Sequence, residues 1–321
     1  MTRSNLLAPL LPARWIRASL LDSDLLSLLR CVECGHARLV RSTEHIVCAA
    51  CTTSYDVRPP GIPRLITHEQ RQRNAAHEQQ WDNLPLADYD QICRDNGPVW
   101  EAIDAVVMKY CSGLVLEVCC GHGRFLDVLT RSPHVKRVIG LDISVAMLRA
   151  AWNKGHRFLI QGSANDSPIQ SGALDTVASS GSGLSFLHRE QTYADIARVL
   201  RPEGFFVFDL LNFWPSIIDE TWRQYMSKGR LPRRDVLHEY KLADNMRDAK
   251  REVQLLRRAG FSVVEMKSVR YVPLLRRRLT KLGYWPGFWG TRIGYDTVFV
   301  CQKLPLKDRT RGYRRGVGAI Q

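Results

Sequence analysis

The chain has 321 residues, 46 Lys or Arg against 32 Asp or Glu, and a formal charge of +14. That length suits one domain of moderate size with a small companion, and its 45% hydrophobic content is ordinary for a globular protein. No apolar run nears the ~20 residues that span a bilayer, and the apolar 5–13 stretch lacks the cleavage site of a secretory leader, so a transmembrane or secreted protein is not expected and the expected location is cytoplasmic.

Residues 1–30 read as a Leu-rich arm ending in a short helix near 24–30. Residues 31–66 carry Cys31-x2-Cys34 and Cys48-x2-Cys51, two CxxC pairs thirteen residues apart. Each pair places two thiolates on one side of a tight knuckle, and four thiolates complete a closed tetrahedral zinc site, structural rather than catalytic. In so small a unit the metal replaces much of the missing core. His36 and His45 stand nearby as bystanders.

Residues 67–112 read as a helical linker or cap. A polar helix is predicted over His68–Trp81, and a second over Val99–Tyr110, where Val99, Ile103, Val106, Val107 and Tyr110 fall at helical spacing. Trp81 and Tyr89 are expected to pack, with a place over a ligand mouth as the alternative.

Leu114–Val118 is an apolar run typical of a buried strand, followed by the turn Cys119-Cys120-Gly121-His122-Gly123 and a helical pattern. Strand, glycine turn and helix offer backbone N–H groups to a nucleotide-like ligand. A dinucleotide turn wants a third glycine, and here Leu126 takes that place. Glu117 at the strand end would repel a pyrophosphate and favour an ammonium and a sulfonium, so the turn suits S-adenosylmethionine better than NAD. About 20 residues on, Val138–Asp142 reads as a second strand whose terminal acid can accept both ribose hydroxyls. Ser144 is the expected N-cap of the helix that follows.

Further strands are predicted from Leu174, over Phe205–Leu210, over Ser262–Arg270 and over Asp296–Gln302, with a helix at Arg247–Ala259 closed by Gly260. His188, in the segment after the fourth strand, is the candidate general base. Residues 212–245 form an aromatic insertion, a candidate lid. From Lys267 onward there are thirteen Lys or Arg against two acids. The basic-aromatic Leu274–Arg292 stretch allows three readings: RNA stacking, contact with a membrane surface, or a hairpin packed inward. Residues 304–321 read as a basic tail.

Taken in order, these motifs resemble the class I S-adenosylmethionine-dependent methyltransferases, over roughly residues 113–303. Leu116–Gly123 looks like their first motif, Gly140–Ser144 like their second, Gln161–Pro168 like the segment beside the adenine, Leu174–Val177 like the start of the fourth strand, and Val199–Gly204 like the turn before the fifth. The resemblance implies an α/β fold, a Rossmann-like seven-stranded sheet with helices on both faces, here preceded by a small zinc ribbon. It implies S-adenosylmethionine as cofactor, held by Glu117, Cys119, Gly121, Gly123 and Asp142, with Ile143, Ser163 and Ala164 flanking the adenine. Two positions depart from the pattern. Cys119 stands where the first glycine is usual, and Ser163 replaces the usual acid near the adenine, which leaves two alternatives: Asp166 compensates, or the cofactor is held less tightly. The ribbon, with Leu28–Gly35, Cys48–Val57 and Gly61–Leu65, resembles a family that includes small activator subunits of methyltransferases. The expected reaction is methyl transfer to a small-molecule acceptor. An rRNA or tRNA methyltransferase and a non-catalytic zinc-ribbon RNA-binding protein are the alternatives.

Overall fold

The computed structural model describes residues 23–42, 45–59, 61–211, 249–269, 284–286 and 296–305. Helix α1 (Ser23–Leu28) leads into β1 (Leu39–Arg41), β2 (His45–Cys48), β3 (Ser54–Arg58) and β4 (Ile62–Leu65), each antiparallel to the one before. Two helices follow, α2 (His68–Asp82) and α3 (Leu86–Val107). Thr67 and Gln70 close the start of α2 with reciprocal side-chain to backbone bonds, both 3.0 Å, so two otherwise orphaned N–H groups are satisfied. Helix α3 begins well before the predicted Val99 and runs through Gly97 and Pro98. Its C-terminal half packs Val99, Ile103, Val106 and Val107 against the sheet. Its N-terminal half reaches out over a cavity described below, and that tertiary contact outweighs the local stop signal.

Then come β5 (Gly113–Val118), α4 (Arg124–Leu129), β6 (Val135–Asp142), α5 (Val145–Asn153), β7 (Leu159–Gly162), β8 (Leu174–Ser179), α6 (Arg189–Val199) and β9 (Leu200–Leu211). Helix α7 (Ala249–Arg258), β10 (Phe261–Val269), β11 (Tyr284–Pro286) and β12 (Asp296–Lys303) complete the described chain. Gly260, at φ +92°, ends α7 as the sequence predicts.

The strands form one mixed sheet in the order β1-β2-β3-β4-β7-β6-β5-β8-β9-β12-β10-β11. From β7 to β9 neighbours are parallel, while β12 is antiparallel to both β9 and β10. Parallel strands are covered on both faces, and β5 accordingly buries Val115, Leu116 and Val118 in succession. Val115 belongs to the face under α3. Leu116 belongs to the opposite face, with Tyr193 and Ile196 of α6 and Leu256 of α7.

The ribbon is continuous with this sheet. Strand β4 runs parallel to β7, with Arg64 beside Gln161 and Leu65 beside Gly162. Leu25, Leu29, Cys31 and Val32 share one apolar cluster with Leu116, Leu141 and Ile169. The twelve strands therefore exceed the seven expected, because the ribbon and β11 extend the sheet at its two edges. The 212–245 insertion lies outside the described residues. So do the Leu274–Arg292 stretch, apart from β11, and the tail beyond residue 305.

Candidate functional site

In open α/β sheets ligands bind beyond the carboxyl ends of the strands, and there the chain concentrates its unusual backbone. After β5 it turns through Cys119, Gly121 and Gly123 at φ +59°, +52° and +82°. A left-handed conformation at a non-glycine residue costs on the order of 1–3 kcal/mol, so Cys119 holds the glycine geometry under strain. A Cβ on Gly121 would stand 3.0 Å from the Tyr89 hydroxyl, and one on Gly123 would stand 2.9 Å from the His156 ring.

Asp142 ends β6 and ties the turn down. One carboxylate oxygen accepts the Gly121 N–H at 2.8 Å, and the other accepts the Ser144 N–H at 2.9 Å. Each oxygen keeps a second lone pair. Ser144 caps α5 by accepting the Met147 N–H at 3.1 Å, and it donates to Asp82 of α2 at 2.5 Å. That aspartate also accepts the Ala146 N–H at 3.1 Å, placing an anion at the start of α5, where the helix dipole favours it.

Glu117 lies just before the turn and is 1% exposed. Its Oε2 has no hydrogen-bond partner among the described residues. Burial pushes its pKa well above the usual carboxylate range, with Asp104 and Asp142 adding to the rise and Arg124 opposing it.

A cavity of about 260 Å³ opens beside these groups. One end is walled by Cys119, Gly121, Asp142, Ile143, Met147, Ser163 and Ala164. The other is walled by Ser180 to Gly183, Leu187, Leu211 and Asp296. Asn74, His77 and Trp81 of α2 and Tyr89, Ile92, Asn96 and Trp100 of α3 cover it. Trp81 and Tyr89 meet edge to face at 6.0 Å, so the two aromatics both pack and line the cavity. Tyr89 also sets its ring 4.6 Å from that of His122 in the turn, and His122 Nε2 lies 3.1 Å from Asp90 of α3. Helix α3 is thereby fastened to the glycine turn.

Of the expected cofactor positions, Cys119, Gly121, Asp142, Ile143, Ser163 and Ala164 meet in this one cavity. Glu117 and Gly123 are buried next to them in the chain. His188 is exposed at the N-cap of α6 and is not among the residues that line the cavity. Its carbonyl accepts the Thr192 N–H at 3.0 Å. Asp166 pairs with Arg30 and accepts from Gln70 at 3.1 Å, facing the ribbon and α2, so it does not stand in for the acid missing at Ser163. No motif in the sequence singles out Asp209 or Asp296 as site residues. An acid closing the apolar run Phe205–Phe208 was the available signal for Asp209.

The four ribbon cysteines converge. All four sulfurs lie within 4.8 Å of one another, with Cys31 to Cys51 and Cys34 to Cys48 both at 3.6 Å. Four thiolates around zinc at ~2.3 Å would stand about 3.8 Å apart along each tetrahedral edge, so the set fits that ion.

Residues 116–208 match the family described as "Methyltransferase domain". Over these residues the chain is similar to methyltransferase domains. Over 98 residues it is 34% identical to a phthiotriol/phenolphthiotriol dimycocerosates methyltransferase of Mycobacterium tuberculosis, covering 29% of this chain and 36% of that one. The Mycobacterium leprae protein of the same name is 31% identical over 121 residues, 36% of this chain and 44% of that one. The chain thus spans under half the length of these relatives. The methyltransferase fold also aligns with a chain of a solved complex between the Haloferax volcanii Trm112 methyltransferase activator and the putative methyltransferase, at a TM-score of 0.50 and 18% identity, covering 70% of this chain and 98% of that one.

Proposed function

We propose that this chain transfers a methyl group from S-adenosylmethionine to a small-molecule acceptor. The observation that carries the reading is the unpartnered, fully buried Glu117 oxygen beside a left-handed turn, with Asp142 at the end of the adjacent strand. Glu117 would take the cofactor's ammonium. Asp142 has lone pairs to spare for two ribose hydroxyls. Ile143, Ser163 and Ala164 would flank the adenine, and the turn around Cys119 and Gly121 leaves backbone room for close approach. The sulfonium supplies an activated methyl with a neutral thioether as leaving group. The protein's own part is then to orient and to exclude water, which is worth several orders of magnitude in rate.

Support for a small acceptor comes from the roof of α2 and α3 over the cavity and from the names of the mycobacterial relatives. The basic segments that suggested RNA or a membrane surface lie mostly outside the described residues. No helix among the described residues is long and apolar enough to cross a membrane. We read residues 31–66 as a zinc ribbon and 113–303 as the methyltransferase domain capped by 67–112. The ribbon serves this domain as an activator-like module carried in the same chain. What supports that role is the β4–β7 pairing and the direct passage from β4 into α2, one of the roof helices. Nine cysteines outside any disulfide, four of them the proposed zinc ligands, suit a reducing compartment such as the cytoplasm.

Calorimetry with S-adenosylhomocysteine, together with mass spectrometry of co-purified ligand, tests the reading. One site per chain is expected. A chain that ignores both S-adenosyl compounds yet binds NAD would refute it.

A further inference from the structure

At the end of the cavity away from Asp142, two carboxyl groups share one hydroxyl. Asp209 on β9 and Asp296 on the adjacent antiparallel β12 are 0% and 1% exposed. Ser182, itself held at φ +61°, sets its Oγ 2.6 Å from Asp209 Oδ2 and 3.2 Å from Asp296 Oδ1. The Gly181 N–H donates to the other Asp209 oxygen at 3.0 Å. Asp209 therefore has a donor on each oxygen, the environment of an ionised carboxylate.

A serine hydroxyl has one hydrogen. If it serves Asp209 in the shorter bond, the contact with Asp296 needs a proton on Asp296, donated to Ser182 Oγ. Two ionised carboxylates in one buried site are also strongly disfavoured, so the pair holds one proton between them. The neighbouring charged groups are Arg124 and Asp104. Arg124 is taken up by Asp104 at 2.6 Å and by Ser180 at 2.8 Å. Asp296 lines the cavity, and its second oxygen has no hydrogen-bond partner among the described residues. The result is a chain, Asp296–H to Ser182–H to Asp209, with its open end at the cavity.

We propose that Asp296, backed by Ser182 and Asp209, seats a neutral hydroxyl acceptor, an alcohol or a phenol, and carries its proton away. The inference rests on the reading of this cavity as the methyl-transfer site. The acceptor hydroxyl donates to the free oxygen of Asp296. As its oxygen bonds to the methyl carbon, the carbon–sulfur bond breaks and leaves its electron pair on sulfur. The hydroxyl proton passes to Asp296, the proton already on Asp296 passes to Ser182, and that of Ser182 passes to Asp209. Asp209 ends neutral and returns the proton to water after product leaves. A neutral amine attacks through a free lone pair and needs no base as its bond forms. A hydroxyl does need one, which is what a proton chain provides.

The test uses the full chain with carbon-13 in its aspartate carboxyl groups, followed by NMR across a pH titration with S-adenosylhomocysteine present. Phenol is the probe, with anisole and benzylamine for comparison. One aspartate carboxyl should stay protonated at about pH 7, respond to phenol, and vanish in Asp296→Asn, a near-isostere of the protonated acid. Phenol affinity should stay within about threefold in that variant, whose amide N–H takes over the bond to Ser182 and whose carbonyl still accepts, while anisole, which lacks the hydrogen, should bind about tenfold more weakly than phenol. Ser182→Ala should keep the protonated signal but make the two acids titrate independently, and it carries the test if Asp296→Asn fails to fold. Aspartates all ionised at neutral pH, no response to millimolar phenol, or a preference for benzylamine would each overturn the proposal. S-adenosylhomocysteine binding without a phenol response sinks the relay alone. Loss of both sinks the methyltransferase reading of the cavity as well.

Discussion

If Glu117 takes the cofactor's ammonium as proposed, cofactor binding should release a proton. In the empty cavity its carboxyl is buried and one oxygen is unpartnered, and its pKa stands well above the usual range, with burial as the main cause. To pair with an ammonium it must ionise, so binding should release up to about one proton. The sign is definite. Below the raised pKa, apparent affinity should fall about tenfold for each unit of pH decrease, and above it affinity should level off. For the empty protein the linkage runs the other way. A carboxyl easier to protonate when folded contributes stability in full below its unfolded pKa of ~4.3, and that contribution is lost as pH rises towards the folded value. Glu117→Gln removes the charge and keeps the shape. Losing one charge-assisted bond costs about 1.5–3 kcal/mol, or about 10- to 150-fold in affinity at 1.36 kcal/mol per decade. The variant should nonetheless melt higher than wild type at neutral pH when empty. Calorimetry in two buffers of different ionisation enthalpy, at about pH 6 and pH 8, reads both effects. A binding enthalpy that ignores the buffer, with an affinity within about threefold in Glu117→Gln, would refute the assignment.

Asp142→Ala should cost more than a ribose contact, because the Gly121 and Ser144 N–H groups lose their acceptor too; weaker S-adenosylmethionine binding by about 2–4 kcal/mol and a lower melting temperature are expected together, and unchanged affinity would mean the acid is misassigned. Gly121→Val should abolish cofactor binding, since it combines a left-handed backbone with a clash at the Tyr89 hydroxyl; its companion Tyr89→Phe should restore little, because the backbone strain remains. Elemental analysis should find about one zinc per chain, and chelation or Cys48→Ser should lower both the melting temperature and cofactor affinity, since β4 leads straight into a roof helix. A metal-free protein of full stability would remove zinc from the account. His188→Ala should leave turnover within about twofold, against the ~100-fold loss expected of a general base.

The parts of this site that are local in sequence are legible from the sequence alone. The turn after β5, the acid ending β6, the Ser144 cap and the two CxxC pairs each depend on residues within a few positions of one another. Residue type and spacing are enough there, because the backbone conformation they need follows from local sterics. What was missed is set by long-range register. Asp209 and Asp296 meet because β12 enters the sheet antiparallel beside β9, far along the chain, and nothing near either residue encodes that pairing. His188 sits at the expected place in the chain, at the start of α6, where it is exposed. In sequence the cysteines of residues 31–66 define a closed unit, whereas in the structure its last strand is part of the larger sheet.

That last strand has a consequence for assembly. A strand lent to a sheet edge by a separate subunit is lost when the pair is diluted, and the melting temperature of such a pair follows concentration. Here β4 and β7 belong to one polypeptide, so the local concentration of the lent strand is fixed by the tether and not by expression level. The melting temperature of the joined unit should be the same in dilute and concentrated solution. Without residues 23–66, the β7 edge would be left with bare N–H and C=O groups, a template for pairing between copies. A truncated methyltransferase domain is therefore expected to self-associate along that edge.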